Sequence, residues 1–398
     1  MSASSPSPAR ARLGISLLFF TNGFALSNLL PRYPEIMQTF GLTNTQFGVL
    51  IAMYPVGALV ASWLPAPLIR RFGAAPTAFG STAVLTVAFA IIGFAPHVLI
   101  VAGAMFLAGF ADAVTDAAQN VHGLLVEDYH GKSIINSLHA LWSLGAVTGG
   151  TVATLAASQH VPLAVHLISA TLVGLAIAGL AVWLSRLPDE FHARRKQESD
   201  HPASTRLTKA MWLAIIPLAL LAIVGVLPEE VAMNWAALYL VQIVDTPIGI
   251  AGVGFVVMIG AQTVGRFLGD LATDRWGVVP VMRAGGALIA LGGVLVIAFP
   301  VLPVVLLGFA LAGYGCATVV PAAYAAAGRL PGLPEGAGVT IASWLLRVGF
   351  LGASPFIGLV SDFTSLRVAL VLLAVSGLAV LALSGRAAPP ARAGRAAA

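Results

Sequence analysis

The sequence predicts an all-α membrane protein with twelve transmembrane helices in two six-helix bundles. Three observations predict it. Of 398 residues, 58% are hydrophobic and 9% charged, with a mean hydropathy of +0.93, far from the roughly 25% charged residues of a soluble domain. The chain divides at proline, glycine and charge into twelve apolar segments, each long enough for the ~20 residues that span a bilayer as a helix. One long charged stretch, RLPDEFHARRKQESDHPASTRLTK (186–209), separates the first six from the last six. The roughly ten-residue alternating strands of a membrane β-barrel do not occur, whereas 42 glycines and 24 prolines suit closely packed, bent helices.

Taken in order, the first span (13–37) follows the polar, basic stretch MSASSPSPARAR and has no small-residue cleavage site, so it reads as a retained helix and not a signal peptide. It carries Asn22 and Asn28, and its SNLLPRYPEI end places Arg32 and Glu35 as a pair at the membrane rim. The second (45–68) runs into PLIRRFG, with Arg70, Arg71 and Gly73; the third covers 76–95. The fourth (98–126) holds FADAVTDAAQNVHG, with Asp112, Asp116 and Asn120. The fifth (133–156) brings His139 and Trp142 in LHALWSLG, and the sixth covers 162–185.

In the seventh span (211–241), VGVLPEEVAMNW sets Pro228 before Glu229 and Glu230, with Asn234 and Trp235 beyond. A helix broken at proline opens polar groups to a cavity, which makes Glu229 a cavity candidate. The alternative leaves both glutamates solvated at the rim, a reading that suits Glu230 better. The eighth (248–272) leads into GRFLGDLATDRWG, with Asp270, Asp274, Arg275 and Gly277. The ninth and tenth cover 279–299 and 302–328, and the single cysteine, Cys316, lies in the tenth as a small buried residue. No disulfide framework or thiol metal cluster is available to this chain. The eleventh (336–361) carries Arg347, together with Pro355 and Gly358 for bending and close packing; the twelfth covers 366–385. The domain organisation is thus a tail (1–12), a bundle (13–185), a linker (186–210), a second bundle (211–385) and a tail (386–398).

The halves also repeat. An offset of 204 residues places Gly48-Val49 over Gly252-Val253, Arg71-Phe72-Gly73 over Arg275-Trp276-Gly277 and Gly145 over Gly349. One offset through separate helices argues for a duplicated six-helix unit. Seventeen of the 21 lysines and arginines fall on the side that carries both termini, which by the positive-inside rule is the cytoplasm. The pI near 9.7 therefore reports orientation in an inner membrane, and nucleic acid is not an expected partner.

The chemistry centres on FADAVTDAAQNVHG. At ~100° per residue, Asp112, Asp116, Gln119, Asn120, Thr115 and His122 share an arc about 160° wide, opposite Phe110, Val114, Val121, Leu124 and Leu125. The two aspartates lie roughly 20 Å from the end of the span, near mid-membrane. A carboxyl at that depth, one turn from another acid, can load and release a proton; the alternative is a helix-bridging acid held by hydrogen bonds. Arg347 is too deep to reach either interface and needs an anion. The positions 204 before Arg347 and Glu229 are Ser143 and Ala25, so both charges are missing together from the first half. This favours a Glu229–Arg347 pair, with Asp116 as rival partner and a substrate anion as the third option. His139, Trp142 and Trp235 offer a protonatable ring and aromatic platforms for the same cavity, beside Asn22, Asn120, Glu229, Asn234 and Arg347.

GRFLGDLATDRWG resembles the loop signature of the major facilitator superfamily, a small-residue helix end running into Asp-Arg-x-Gly. The resemblance implies a clamp of helix ends that switches between states, built here from Asp270, Asp274, Arg275 and Gly277 and, in the first half, Arg70, Arg71 and Gly73. Arg70 stands where the second half has Asp274. Asp116-Ala-Ala-Gln-Asn120 is similar to the acid-x-x-x-Asn element of fucose-permease-like transporters, whose acid is implicated in proton coupling. The run from Asn120 through LHALWSLG is similar to a bacterial branch described as fucose-permease-like or drug-resistance-like. Fucose permease also uses an acid in its first helix, where this chain has Asn22 and Asn28.

The resemblance implies a proton-coupled secondary transporter in a bacterial inner membrane, working by alternating access on a small polar solute, sugar-like in one reading. Asp116 and Asp112 would be its proton-coupling residues. Its partners are then the solute, protons and lipid; it is expected as a monomer without cofactor or metal. Drug or metabolite export is the alternative, although the fifth-helix antiporter signature is incomplete, with Gly150 where a proline would follow Gly149. A transport-fold sensor would bind solute without flux. An embedded enzyme is not expected, because no His-Glu-x-x-His helix, Gly-x-Ser-x-Gly elbow or phosphate loop occurs.

Overall fold

The computed structural model describes residues 7–131, 134–187, 209–330 and 337–388. The linker expected at 186–210 lies almost wholly outside these residues. Twelve spans are long and apolar enough to cross a membrane. In the first half they are α1 (Pro8–Phe40), α2 (Asn44–Trp63), α3 (Ala74–Ile92), α4 (Val98–His130), α5 (Ser137–Ser158) and α6 (Leu163–Leu184). In the second they are α7 (Met211–Asn234), α8 (Ile248–Trp276), α9 (Val278–Ala298), α10 (Leu302–Gly328), α11 (Ile341–Phe363) and α12 (Leu366–Ala387). Among the described residues there is no strand. Exposed Leu155, Leu172, Leu213, Phe267 and Leu271 make the outer surface apolar, as a surface solvated by lipid must be.

Local chemistry explains the interruptions. In α1, Pro31 and Pro34 lack the N–H groups a continuous helix needs, and the chain passes from helix Pro8–Ser27 through a tight turn, Leu30–Arg32, into helix Tyr33–Phe40. Arg32 does pair with Glu35, at 2.6 Å, and its side chain is buried in the protein. It also donates to the Val161 carbonyl at 2.8 Å and lies 3.2 Å from His166 Nδ1. His166 Nε2 in turn is 2.9 Å from Asn28 Oδ1, which ties the broken end of α1 to α6. α2 opens with a capping box, the Thr43 hydroxyl accepting from Gln46 N and Thr43 N donating to the Gln46 side chain. α7 differs from expectation. It runs unbroken through Pro217 and Pro228 and breaks instead at Trp235, before the short helix Ala236–Gln242. One lost backbone bond at Pro228 is tolerated between turns packed through Val226 and Val231.

The 204-residue repeat is visible in the backbone. Gly73 (φ +87°, ψ +160°) and Gly277 (φ +84°, ψ +160°) adopt the same left-handed geometry, which a side chain would strain. Their N–H groups donate to Ile69 O at 2.9 Å and Thr273 O at 2.8 Å. Arg71 lies over the Phe72 ring as Arg275 lies over Trp276.

One apolar cluster, including Leu30, Phe47, Ile51, Trp235, Phe255 and Ile357, joins the halves at the end away from the chain termini, hereafter the far end. Towards the end that carries both termini the core divides. Ile15, Phe19, Val126 and Leu138 cluster within the first half; Leu221, Met282, Ile289 and Val319 cluster within the second. At the far end α2 meets α11 through glycine. A Cβ on Gly48 would lie 2.5 Å from Ser354 O, and one on Gly358 2.3 Å from Asn44 O. Asp362 of α11 accepts from the N–H groups of Asn44 and Thr45 at 2.9 and 2.8 Å, capping the positive N-terminus of α2 from the opposite half. The halves are thus joined at the far end and separate at the other, with a cavity between them.

Candidate functional site

The cavity has a volume of about 290 Å³. Its wall is mostly apolar, with Ile51, Met105, Met233 and Phe350, and carries a few polar groups: Tyr54, Asp112, Trp142, Glu229, Glu230, Asn234 and Arg347. An apolar wall with a few convergent polar groups is the usual form of a small-molecule site. A second recess, of about 420 Å³, lies among Val87, Ile91, Phe94 and Ile168 on the outer face and has no charged lining.

Three arrangements order the polar groups. Trp142 Nε1 donates to Asn22 Oδ1 at 2.6 Å, and Asn22 Nδ2 donates to Asp112 Oδ1 at 3.0 Å. This chain from α5 through α1 to α4 fixes the amide orientation of Asn22 and turns an oriented carboxyl to the cavity. Asp112 makes no ion pair among the described residues. One turn on, Asp116 accepts from Asn120 Nδ2 at 3.1 Å and lies 3.9 Å from Arg347 Nη2. The Asp116 and Arg347 side chains are 45% and 44% exposed, so this bridge between the halves is loose and easily exchanged. The third arrangement holds Glu229, which accepts from Gln262 Nε2 at 2.7 Å and from Arg266 Nη2 at 3.2 Å. Arg266 Nη1 reaches the other half, donating to the Ser143 hydroxyl at 2.9 Å.

The expected Glu229–Arg347 pair is therefore not formed; each charge has another partner. Arg266 and Gln262, four residues apart on one face of α8, take Glu229, and Arg347 turns to Asp116. Arg266 had the same signal in the sequence, since the residue 204 before it is the uncharged Ser62. Trp235 is fully buried, edge-on to Phe47 with centroids 5.6 Å apart, and does not line the cavity. Asn22 and Asn120 do not line the cavity but hydrogen-bond Asp112 and Asp116, of which only Asp112 is part of the wall. His139 is exposed, with its ring edge-on to Phe19 at 5.3 Å, and lies outside the cavity wall. Glu230 is buried against Ser354 and is not a solvated rim group. Arg70 and Arg71 end the short helix Pro65–Phe72, and Asp270, Asp274 and Arg275 lie in the last turns of α8. These loop residues form no ion pair among the described residues.

The sequence profile of the Major Facilitator Superfamily matches residues 15–261, more than half of the chain. The chain belongs to the Major Facilitator Superfamily. It is a multi-pass membrane transporter and not an enzyme. A transporter of Sinorhizobium fredii (strain NBRC 101917 / NGR234), y4wD, is 29% identical over 358 residues, covering 89% of this chain and 92% of that protein. Two solved structures share the superfamily fold. The nucleoside transporter NupG has a TM-score of 0.67 at 16% identity, covering 94% of this chain and 98% of its own. FucP in its outward conformation has a TM-score of 0.62 at 16% identity, covering 95% and 98%.

Proposed function

We propose that this major facilitator protein is a proton-coupled importer of a small polar solute in a bacterial inner membrane, with both termini in the cytoplasm. The observation that carries this reading is the pair of mid-span acids on α4. Asp116 is bridged to a cation of the opposite half, and Asp112 is held by neutral groups, the Asn22 amide and the Tyr54 hydroxyl. A proton taken by Asp116 removes its attraction for Arg347, which frees the guanidinium for an oxygen of the solute and loosens one link between the halves. Loss of that proton on the other side restores the bridge. Trp142 supplies a flat face beside Asp112, suited to a ring-bearing solute. NupG, which shares the fold, is a nucleoside transporter, and polar ring compounds of that kind suit this wall.

Export of a more apolar compound is the second reading, favoured by Met105, Met233, Leu346 and Phe350 in the same wall. A thermal-shift screen of solutes on purified protein, followed by flux into proteoliposomes under an imposed pH gradient, separates the two. Uptake that follows an inward proton gradient supports import. Efflux against it supports export, and flux indifferent to pH removes proton coupling altogether.

A further inference from the structure

Glu229 and Glu230 are adjacent on α7, and a rotation of ~100° sends them to different surroundings. Glu229 meets Arg266 and Gln262. Glu230 is buried, and its carboxyl is hydrogen-bonded by the Asn234 side chain and by the Ser354 hydroxyl, which itself accepts from Trp235 Nε1 at 3.2 Å. The titratable groups facing it are Tyr33 from α1 and its neighbour Glu229. No cation pairs with Glu230 among the described residues; Arg266 and Arg347 are engaged by Glu229 and Asp116.

The partners of Glu230 also form the contact between the halves. Ser354 is where α11 comes closest to Gly48 of α2, and Trp235 packs on Phe47 of α2. We propose that Glu230 is a second proton-binding site of the transport cycle, built into the far-end contact so that α2 and α11 close only over the neutral acid. This rests on the proton-coupled reading above. An anion enclosed with neutral donors alone is costly, whereas a protonated carboxyl is satisfied by the Ser354 hydroxyl, which can either donate or accept. In the closed form Glu230 shows only a sliver of its surface at the cavity wall; when α2 withdraws from α11, Phe47 leaves Trp235, water surrounds the carboxyl and it ionises. Closure at the far end and uptake of one proton from that side are then a single event.

The sign follows from linkage. The closed form holds one proton more than the open form, so its share rises as pH falls, and the closed-to-open ratio changes by at most about tenfold per pH unit. Full-length protein in nanodiscs, on a Cys316→Ser background, would carry a spin-label pair at Thr39 and Asp245. These exposed far-end positions lie one on each half, near the Met37–Gln242 contact. The wild-type distance distribution moves towards the short distance as pH falls. Glu230→Gln stays short at every pH, whereas Glu230→Asp keeps a pH response. A wild-type distribution indifferent to pH, or a Glu230→Gln variant that responds as wild type does, overturns the proposal. Should Glu230→Gln not fold, Ser354→Ala carries the test: it loses a donor that favours the anion, which moves the midpoint to higher pH, and an unmoved midpoint counts against the proposal. Asp116→Asn keeps the far-end response while losing uphill uptake, so failure of either reading shows in a different measurement.

Discussion

Replacing Gly358 by alanine tests whether the α2–α11 contact sets the balance between the two access states. The new Cβ would lie 2.3 Å from Asn44 O, so α11 must withdraw from α2 by about 1 Å to reach ordinary contact. Overpacking of this kind costs about 1–3 kcal/mol. Because the clash exists only while the far end is closed, the whole cost falls on that state. The closed-to-open ratio then drops by about 5- to 150-fold. Gly145→Ala is the matched control: its Cβ would lie 2.1 Å from Phe20 O, an equal clash between α1 and α5 inside one half. It lowers folding stability without favouring either state. The assay is the Thr39–Asp245 label distance at fixed pH, read beside thermal unfolding. A folded Gly358→Ala protein with an unchanged distance distribution, or a Gly145→Ala protein that opens the far end as much, would refute the reasoning.

Asp116→Asn keeps the shape and hydrogen bonding of the protonated acid, so solute exchange at equal concentrations survives while accumulation driven by a pH gradient is lost; retained accumulation moves the coupling site elsewhere. Asp112→Asn is milder and shifts the pH optimum of uptake, because it removes a like charge one turn away; an unchanged optimum separates the two acids. Glu229→Ala and Arg266→Ala each leave a partly buried charge without its partner, and thermal unfolding should show each less stable than the double alanine variant. Their partial exposure keeps each cost below the about 3–5 kcal/mol of a fully buried pair, and additive losses would mean that the pair is not coupled. Cysteines placed at Gln197 and Ala391 react with impermeant reagents only from the cytoplasm; labelling of intact cells from outside reverses the topology.

The twelve spans were legible because a bilayer imposes length and apolarity on every crossing, and the duplicated unit because Gly73 and Gly277 must both supply the same left-handed turn. The mid-membrane charges were legible as charges, since nothing apolar explains Asp112, Asp116, Glu229 or Arg347 at that depth. Their partners were not. Which cation meets Glu229 depends on the rotation of α7 and α8 about their own axes, and a rotation of one residue exchanges the surroundings of Glu229 and Glu230. Proline misled as well. The break in α7 comes at Trp235, where the chain turns under α2, because packing on both sides of Pro228 holds the helix together through its missing bond. Trp235 read as an open platform for the same reason: only the position of that break decides whether its ring faces the cavity or Phe47.

The repeat that makes the two halves alike in backbone leaves them unlike in charge. Asp112 is matched by Cys316, Asp116 by Val320, Arg347 by Ser143 and Arg266 by Ser62. Among the described residues, the cavity's guanidinium, that of Arg347, comes from the second half, beside Glu229 and Glu230, and the charged group that the first half gives the wall is the acid Asp112. A pocket with matching chemistry on both sides of a pseudo-twofold axis would accept a solute in two equivalent poses. This one is polarised, so a molecule with a hydrogen-bond donor at one end and an acceptor at the other has a single favoured heading.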